Sequence, residues 1–107
     1  MATLIFSRNA KADLLSMGAY SLKTWGAVQA GRYLSGLEQC AKLLAGNPSL
    51  GRPCDWIRPD LYRFEKGRHA LFYRRQEDGI FVVRILHQSM LPDQQIFEDM
   101  VPNASKR

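Results

Sequence analysis

Between Ala70 and His87 apolar side chains dominate on both sides of Asp78-Gly79, and the only regular interruptions are arginines. Runs this short, rich in Val, Ile, Phe and Tyr and joined by Asp-Gly, predict a β-hairpin, with Asp78 and Gly79 supplying the two positive-φ residues of a type I′ turn. A two-residue loop at Asp78-Gly79 pairs Tyr73 with Arg84, Phe72 with Ile85, Leu71 with Leu86 and Ala70 with His87. Alternate residues of a strand point to opposite faces. Leu71, Tyr73, Val82, Arg84 and Leu86 then share one face, and Ala70, Phe72, Arg74, Phe81, Val83, Ile85 and His87 share the other. Both faces are apolar, so one is expected to take the chain's helices and the other a partner.

Upstream, the periodicity changes. Thr3 to Ser7 reads as a short strand with Ser7 placed to cap a helix. From Arg8 to Trp25, Leu14 or Leu15, Gly18, Leu22 and Trp25 recur at helical spacing, leaving Lys11, Asp13 and Lys23 to solvent. Gly26 ends this helix at a tight corner, where Trp25 is expected to pack between helices in a structural role. A second helix fits Ala27 to about Ala45, with Leu34, Leu37, Cys40 or Ala41, and Leu44 as its apolar stripe. Asn47 to Asp60 holds three of the five prolines and reads as a long ordered loop. Leu50, Trp56 and Ile57 are expected to cover one end of the core, Trp56 and Ile57 anchoring the loop. Leu61 to Glu65 forms a strand and Lys66-Gly67 a turn before the hairpin, so the order is β-α-α-β-β-β, an α+β domain. A helical turn fits Asp93 to Met100, and residues 101–107 should fray.

At 107 residues the chain suits one domain with a single core. Its net charge of +5 favours an acidic or nucleic-acid-bearing partner. No apolar run reaches the length of a membrane span, and Met1 to Phe6 lacks the features of a signal peptide, so a cytoplasmic location is expected. Cys40 and Cys54 have no metal-ligand spacing and read as reduced thiols, one in a helix and one in a loop. No metal or cofactor is expected.

Four fragments in order resemble the RelE/ParE superfamily of type II toxin-antitoxin toxins, the ParE branch above all. They are Asn47-Pro48-Ser49-Leu50-Gly51, Leu61-Tyr62-Arg63-Phe64, Gly67 to Arg74, and Val83-Arg84-Ile85-Leu86-His87 followed by Met90. The resemblance covers nearly the whole chain. It implies a helical hairpin packed on a small twisted antiparallel sheet, and a ParD-like antitoxin whose C-terminal segment wraps the toxin. For ParE-like members it also implies inhibition of DNA gyrase by binding and a place in plasmid stabilisation, with DNA met only through antitoxin or gyrase. The superfamily's other activity is ribosome-dependent cleavage of messenger RNA. Ribonuclease members place an arginine where Ala70 stands here, with a basic residue or histidine opposite at the place of His87. Since phosphoryl cleavage needs fixed positive charge as well as a base and an acid, Ala70 argues against that activity. His87, with Arg74 as a substitute on the same face, is the catalytic pair that the ribonuclease alternative would use. A further alternative is a non-toxic, antitoxin-binding co-regulator of transcription.

Among single residues, Arg84 is expected in the interior, paired with Tyr73 and an acid or carbonyl from a helix. His69 and His87 are expected on opposite faces, His69 without a special role. Phe72, Phe81, Val83 and Ile85, bordered by Arg74, form an apolar face that suits an amphipathic acidic peptide such as an antitoxin tail. Arg63, Arg68, Arg74 and Arg75, with His87, form the expected target-binding rim around the sheet edge.

Overall fold

A computed structural model describes residues 2–88, so the helical turn expected at Asp93 to Met100 and the frayed tail lie outside the described residues. The elements are β1 (Thr3–Phe6), α1 (Arg8–Trp25), α2 (Ala27–Gly46), a single 3-10 turn (Pro48–Leu50), β2 (Arg52–Pro53), β3 (Tyr62–Lys66), β4 (His69–Gln76) and β5 (Gly79–His87). The sheet order is β1-β5-β4-β3-β2. Two helices pack on this open sheet in the expected α+β arrangement. The sheet is mixed rather than antiparallel throughout, because β1 lies parallel to β5, with Thr3 beside Gly79 and Phe6 beside Val82.

Ser7 makes the passage from strand to helix. Its backbone is extended, its Oγ accepts from the Ala10 N–H at 2.9 Å, and the same hydroxyl donates to the Val83 carbonyl at 2.7 Å. One side chain therefore caps α1 and ties it to β5. Gly26, at φ 89°, ends α1 and begins α2, a conformation that a residue with a Cβ rarely adopts.

In α2 the stripe is the expected one, with Leu37, Cys40, Ala41 and Leu44 buried. In α1 it is rotated. Ala10, Met17 and Ser21 are buried, while Leu15, Leu22 and Trp25 are 76%, 55% and 50% exposed. Two features turn the helix this way. Small residues allow close approach, with Gly18 so near the Leu34 side chain that a Cβ there would sit 3.2 Å from it. Asp13 must also face the sheet, since it holds Arg84 through two 2.8 Å contacts and accepts the Ile85 N–H at 2.9 Å. Asp13 is thus the helix acid expected for Arg84, and not the solvated residue its neighbours suggested. Trp25 does not wedge between the helices; it stands edge-on to Tyr20, ring centres 6.0 Å apart.

Tyr73 is fully buried, but its partner is not Arg84. Its hydroxyl accepts from the Gly51 N–H at 2.9 Å and donates to the Pro48 carbonyl, while its ring stacks on Tyr62. It pins the chain that leaves α2. Gly51 is required there, because a Cβ would fall 2.2 Å from the tyrosine oxygen.

The β4–β5 hairpin departs from the expected register twice. Gln76 pairs with Gly79, so Glu77 and Asp78 are the turn, and neither Asp78 nor Gly79 has positive φ. Gly79 answers to a different constraint: it lies against β1, where a Cβ would meet the Thr3 carbonyl oxygen at 1.8 Å. Farther along, the register shifts between Phe72 and Tyr73, so that Tyr73 faces Val82, Phe72 faces Arg84, and Val83 is the extra residue of a bulge. Beyond the bulge the faces of β5 exchange. Ile85 joins Leu71, Tyr73, Ile80 and Val82 under the helices. Leu86 joins Ala70, Phe72, Phe81 and Val83 on the other side. The bulge moves Arg84 from opposite Tyr73 to opposite Phe72, and its guanidinium still reaches Asp13 of α1.

That second face is not open. Cys54, Ile57 and Leu61 close it, leaving Phe72, Phe81 and Val83 at 1%, 4% and 0% exposure. The loop is folded on itself to do so. The Cys54 N–H donates to the Leu61 carbonyl at 2.7 Å, the Ile57 N–H to the Cys54 carbonyl at 2.9 Å, and Asp60 turns at φ 63°. Ile57 is an anchor as expected, but Trp56 and Leu50 are 65% and 47% exposed. Both cysteines are free and buried, and burial raises each thiol above its ordinary pKa, so neither is primed as a nucleophile.

Candidate functional site: the arginines and a histidine cleft

The sheet geometry separates residues that the sequence grouped. Arg63 faces Phe72 across β3 and β4, with its guanidinium 5.5 Å from the ring centre and a 2.6 Å contact to Glu65. Arg74 faces Phe81 on the same loop-covered side and is half-buried. Arg75 is on the helix side, 5.7 Å over the Tyr62 ring, at the far end of β4 from Arg68. Arg68 stands in the β3–β4 turn, seven residues from Arg75, or about 23 Å along an extended strand. The arginines do not form one rim. Of these four, Arg68 and Arg75 are exposed and on the helix side or its end.

The expected antitoxin face is divided likewise. Phe72, Phe81 and Val83 are sealed beneath the chain's own loop, and the bulge places Ile85 under the helices. A partner would reach the first three only by displacing Cys54, Ile57 and Leu61. The ribonuclease constellation is not assembled either. Ala70 pairs with Leu86, not His87, and is 4% exposed. His87 and Arg74 lie on opposite faces, because the bulge puts His87 on the side of the helices.

His87 instead sits directly across from His69, and the two rings are edge to face with centres 5.2 Å apart. The sequence misses this pair because the bulge lies between the turn and the strand end. His69 Nδ1 is in short contact with the Tyr33 hydroxyl from α2. Burial, and then the Arg68 backbone N–H and charge acting the other way, leave the Tyr33 phenol above its ordinary pKa, so it is a protonated donor. The Tyr33 hydroxyl also lies 3.5 Å from the Lys66 carbonyl; where its proton goes to Nδ1, His69 carries its own on Nε2. Burial first, and the nearby His87 second, lower the His69 pKa, while Asp13 opposes the shift. Gly67, at φ 61°, lets the β3–β4 turn lie against the Tyr33 ring.

These groups line one side of a cleft of about 580 Å3. Arg68, His69 and His87 come from the sheet end, Tyr33 from α2, and Met17, Tyr20 and Trp25 from α1. A second cleft of about 470 Å3 opens at the helical hairpin, lined by Phe6, Leu14, Leu15, Leu34 and Ile85 with Lys11 and Glu38 at its polar margin. Its chemistry suits the apolar side of a peptide. Among the described residues, no cluster of three or more His, Cys, Asp or Glu could hold a metal ion. No described helix is long and apolar enough to cross a membrane.

The comparisons with known proteins agree with this architecture. The family model described as the ParE toxin of type II toxin-antitoxin systems, parDE, matches residues 4–92. Toxin ParE1 of Mycobacterium tuberculosis is 40% identical over 93 residues, covering 86% of this chain and 95% of that protein. Toxin ParE1 of Caulobacter vibrioides is 39% identical over 84 residues, covering 78% of this chain and 86% of that protein. Among solved structures, a chain of the chromosomal ParDE system from P. aeruginosa superposes with a TM-score of 0.70 at 22% identity, over 81% of this chain and 96% of that one. With the model spanning both helices and the hairpin, and relatives matched over most of their length, the chain belongs to the ParE toxin family of type II toxin-antitoxin systems.

Proposed function

We propose that this protein is the toxin of a toxin-antitoxin pair, that it inhibits DNA gyrase by binding without making or breaking a bond, and that a ParD-like antitoxin with an acidic C-terminal segment neutralises it. The observation that carries this reading is the match to Toxin ParE1 over 95% of that protein's length. The arrangement of the sheet supports the non-catalytic part, because Ala70 is buried and His87 and Arg74 face opposite ways. For the antitoxin, the hairpin cleft with Leu14, Leu15, Leu34 and Ile85 is a better seat than the sealed loop-side face. An amphipathic segment laid there would cover Leu15, which is 76% exposed.

A purified supercoiling assay tests the target. The protein should block supercoiling by gyrase and leave messenger RNA intact in a translating extract. Charge reversal at the exposed Arg68 should raise the inhibitory concentration, and the difference should narrow as salt is added. Full supercoiling with folded protein in large excess over gyrase would remove gyrase as the target. The antitoxin acidic tail should protect wild-type protein against thermal unfolding by mass action, and Leu15→Glu should weaken that protection.

A further inference from the structure

The two clefts differ in a way that points to different occupants. The hairpin cleft is apolar with one charge of each sign at its edge. No described residue lining the histidine cleft carries a carboxylate, whereas Arg68 brings a guanidinium and His69 and His87 bring ring nitrogens to one end. At the other end Tyr20 and Trp25 stand 63% and 50% exposed, an edge-to-face pair with no apolar layer over it among the described residues. Large aromatic surface left in water next to hydrogen-bond donors is the composition of a small-ligand site, and about 580 Å3 is a fitting volume for one. The donors are also held in place. Tyr33 fixes the His69 ring through Nδ1, β4–β5 pairing sets His87 opposite it, and the Arg68 carbonyl accepts the Gln88 N–H at 2.8 Å, tying the turn to the end of β5.

We propose that this cleft binds a nucleotide, with the base stacked on the Trp25 ring and Tyr20 edge-on beside it, and the phosphate held by Arg68 and the His69–His87 pair. A planar ring takes the exposed aromatic surface without needing a particular base edge, since every base has a π face. A phosphate suits a guanidinium flanked by imidazole N–H groups. The ligand can be a free mononucleotide or the terminal nucleotide of a single DNA strand, which share this chemistry. The inference shares Arg68 with the gyrase reading but is separable from it, because nucleotide binding is read on the toxin alone with no gyrase present.

The test uses the full chain with Trp56→Phe, which leaves Trp25 as the single tryptophan. Deoxyguanosine 5′-monophosphate, deoxyguanosine, inorganic phosphate and a 5′-phosphorylated single-stranded hexanucleotide are titrated separately, with fluorescence and calorimetry as readouts. The mononucleotide or the hexanucleotide should quench Trp25 saturably, with the nucleoside and phosphate alone each at least about tenfold weaker. A response to the mononucleotide identifies a free nucleotide as ligand, and a response to the hexanucleotide alone identifies a strand end. By calorimetry, Trp25→Ala and Arg68→Gln should each weaken binding about tenfold or more, with circular dichroism showing both variants folded. Absence of saturable binding to both nucleotide probes would overturn the proposal. So would binding that survives both substitutions, or that a heparin fragment displaces equally well in wild type and Trp25→Ala.

Discussion

The two faces of the sheet carry nearly equal apolar content but are closed by different means, and the means decide where chemistry is available. On one face Cys54, Ile57 and Leu61 form a lid from the loop between β2 and β3, and the strand residues beneath it are buried. On the other face two helices cover the middle of the sheet and leave clefts at the hairpin and at the strand ends. A helix is a stiff rod on a twisted sheet and fits it only over part of its length; a loop follows the surface. The face that looked like a docking surface is therefore sealed, and the face assigned to the interior holds both openings.

The largest effect that probes this contrast is loss of Phe72. Phe72→Ala should cost about 3–5 kcal/mol in denaturant unfolding, because a fully buried aromatic is removed from beneath the lid. Trp56→Ala, in the same loop but 65% exposed, should change stability by about 0.5 kcal/mol or less. Equal losses at the two positions would mean the loop is not the cover described.

On the helix face the corresponding tie is ionic. Asp13 and Arg84 are 14% and 15% exposed, and the Asp13 carboxylate also accepts the Ile85 N–H. Asp13→Ala strands a guanidinium and a backbone donor together, so a loss of about 3 kcal/mol is expected. Asp13→Ala with Arg84→Met in one chain should recover part of it. No recovery would indicate that the pair is needed for the bulge itself and not only for compensating charge.

The smallest effect lies at the strand ends. The His69 pKa is below its ordinary 6.5 in the folded protein, so between the folded value and 6.5 the unfolded chain binds more protons. Stability then rises with pH across that window and falls as acid takes the histidine through it. Melting temperature measured through mildly acidic pH should show this slope, and His69→Gln should flatten it. A slope of opposite sign would mean that the Asp13 carboxylate outweighs burial and His87 at His69.

Local signals were enough for much of the architecture. The Ser7 cap, the Gly26 corner, the α2 stripe and both strands of the hairpin follow from residues close in sequence, where capping, positive φ and periodicity act over one turn or one strand. The features that went unread are all set by distant neighbours. Gly79 looked like a turn residue but is glycine because Thr3 packs on it from 76 residues away. The α1 stripe looked like Leu15, Leu22 and Trp25, yet Asp13 faces inward because Arg84 is there to meet it.

The bulge at Val83 had the widest consequences. It exchanged Ile85 with Leu86 and set His87 across from His69, which undid the expected ribonuclease pair and created the histidine cleft. By itself the sequence determined both helices, the four longer strands and their order, and the family, since those rest on local propensity and on residues read in place, while the two-residue β2 within the expected loop went unread. The tertiary structure alone decided which face each side chain of β5 takes, what covers it, and which charged groups meet. In a strand with apolar residues at nearly every position, alternation no longer distinguishes the two faces, and one inserted residue reverses them.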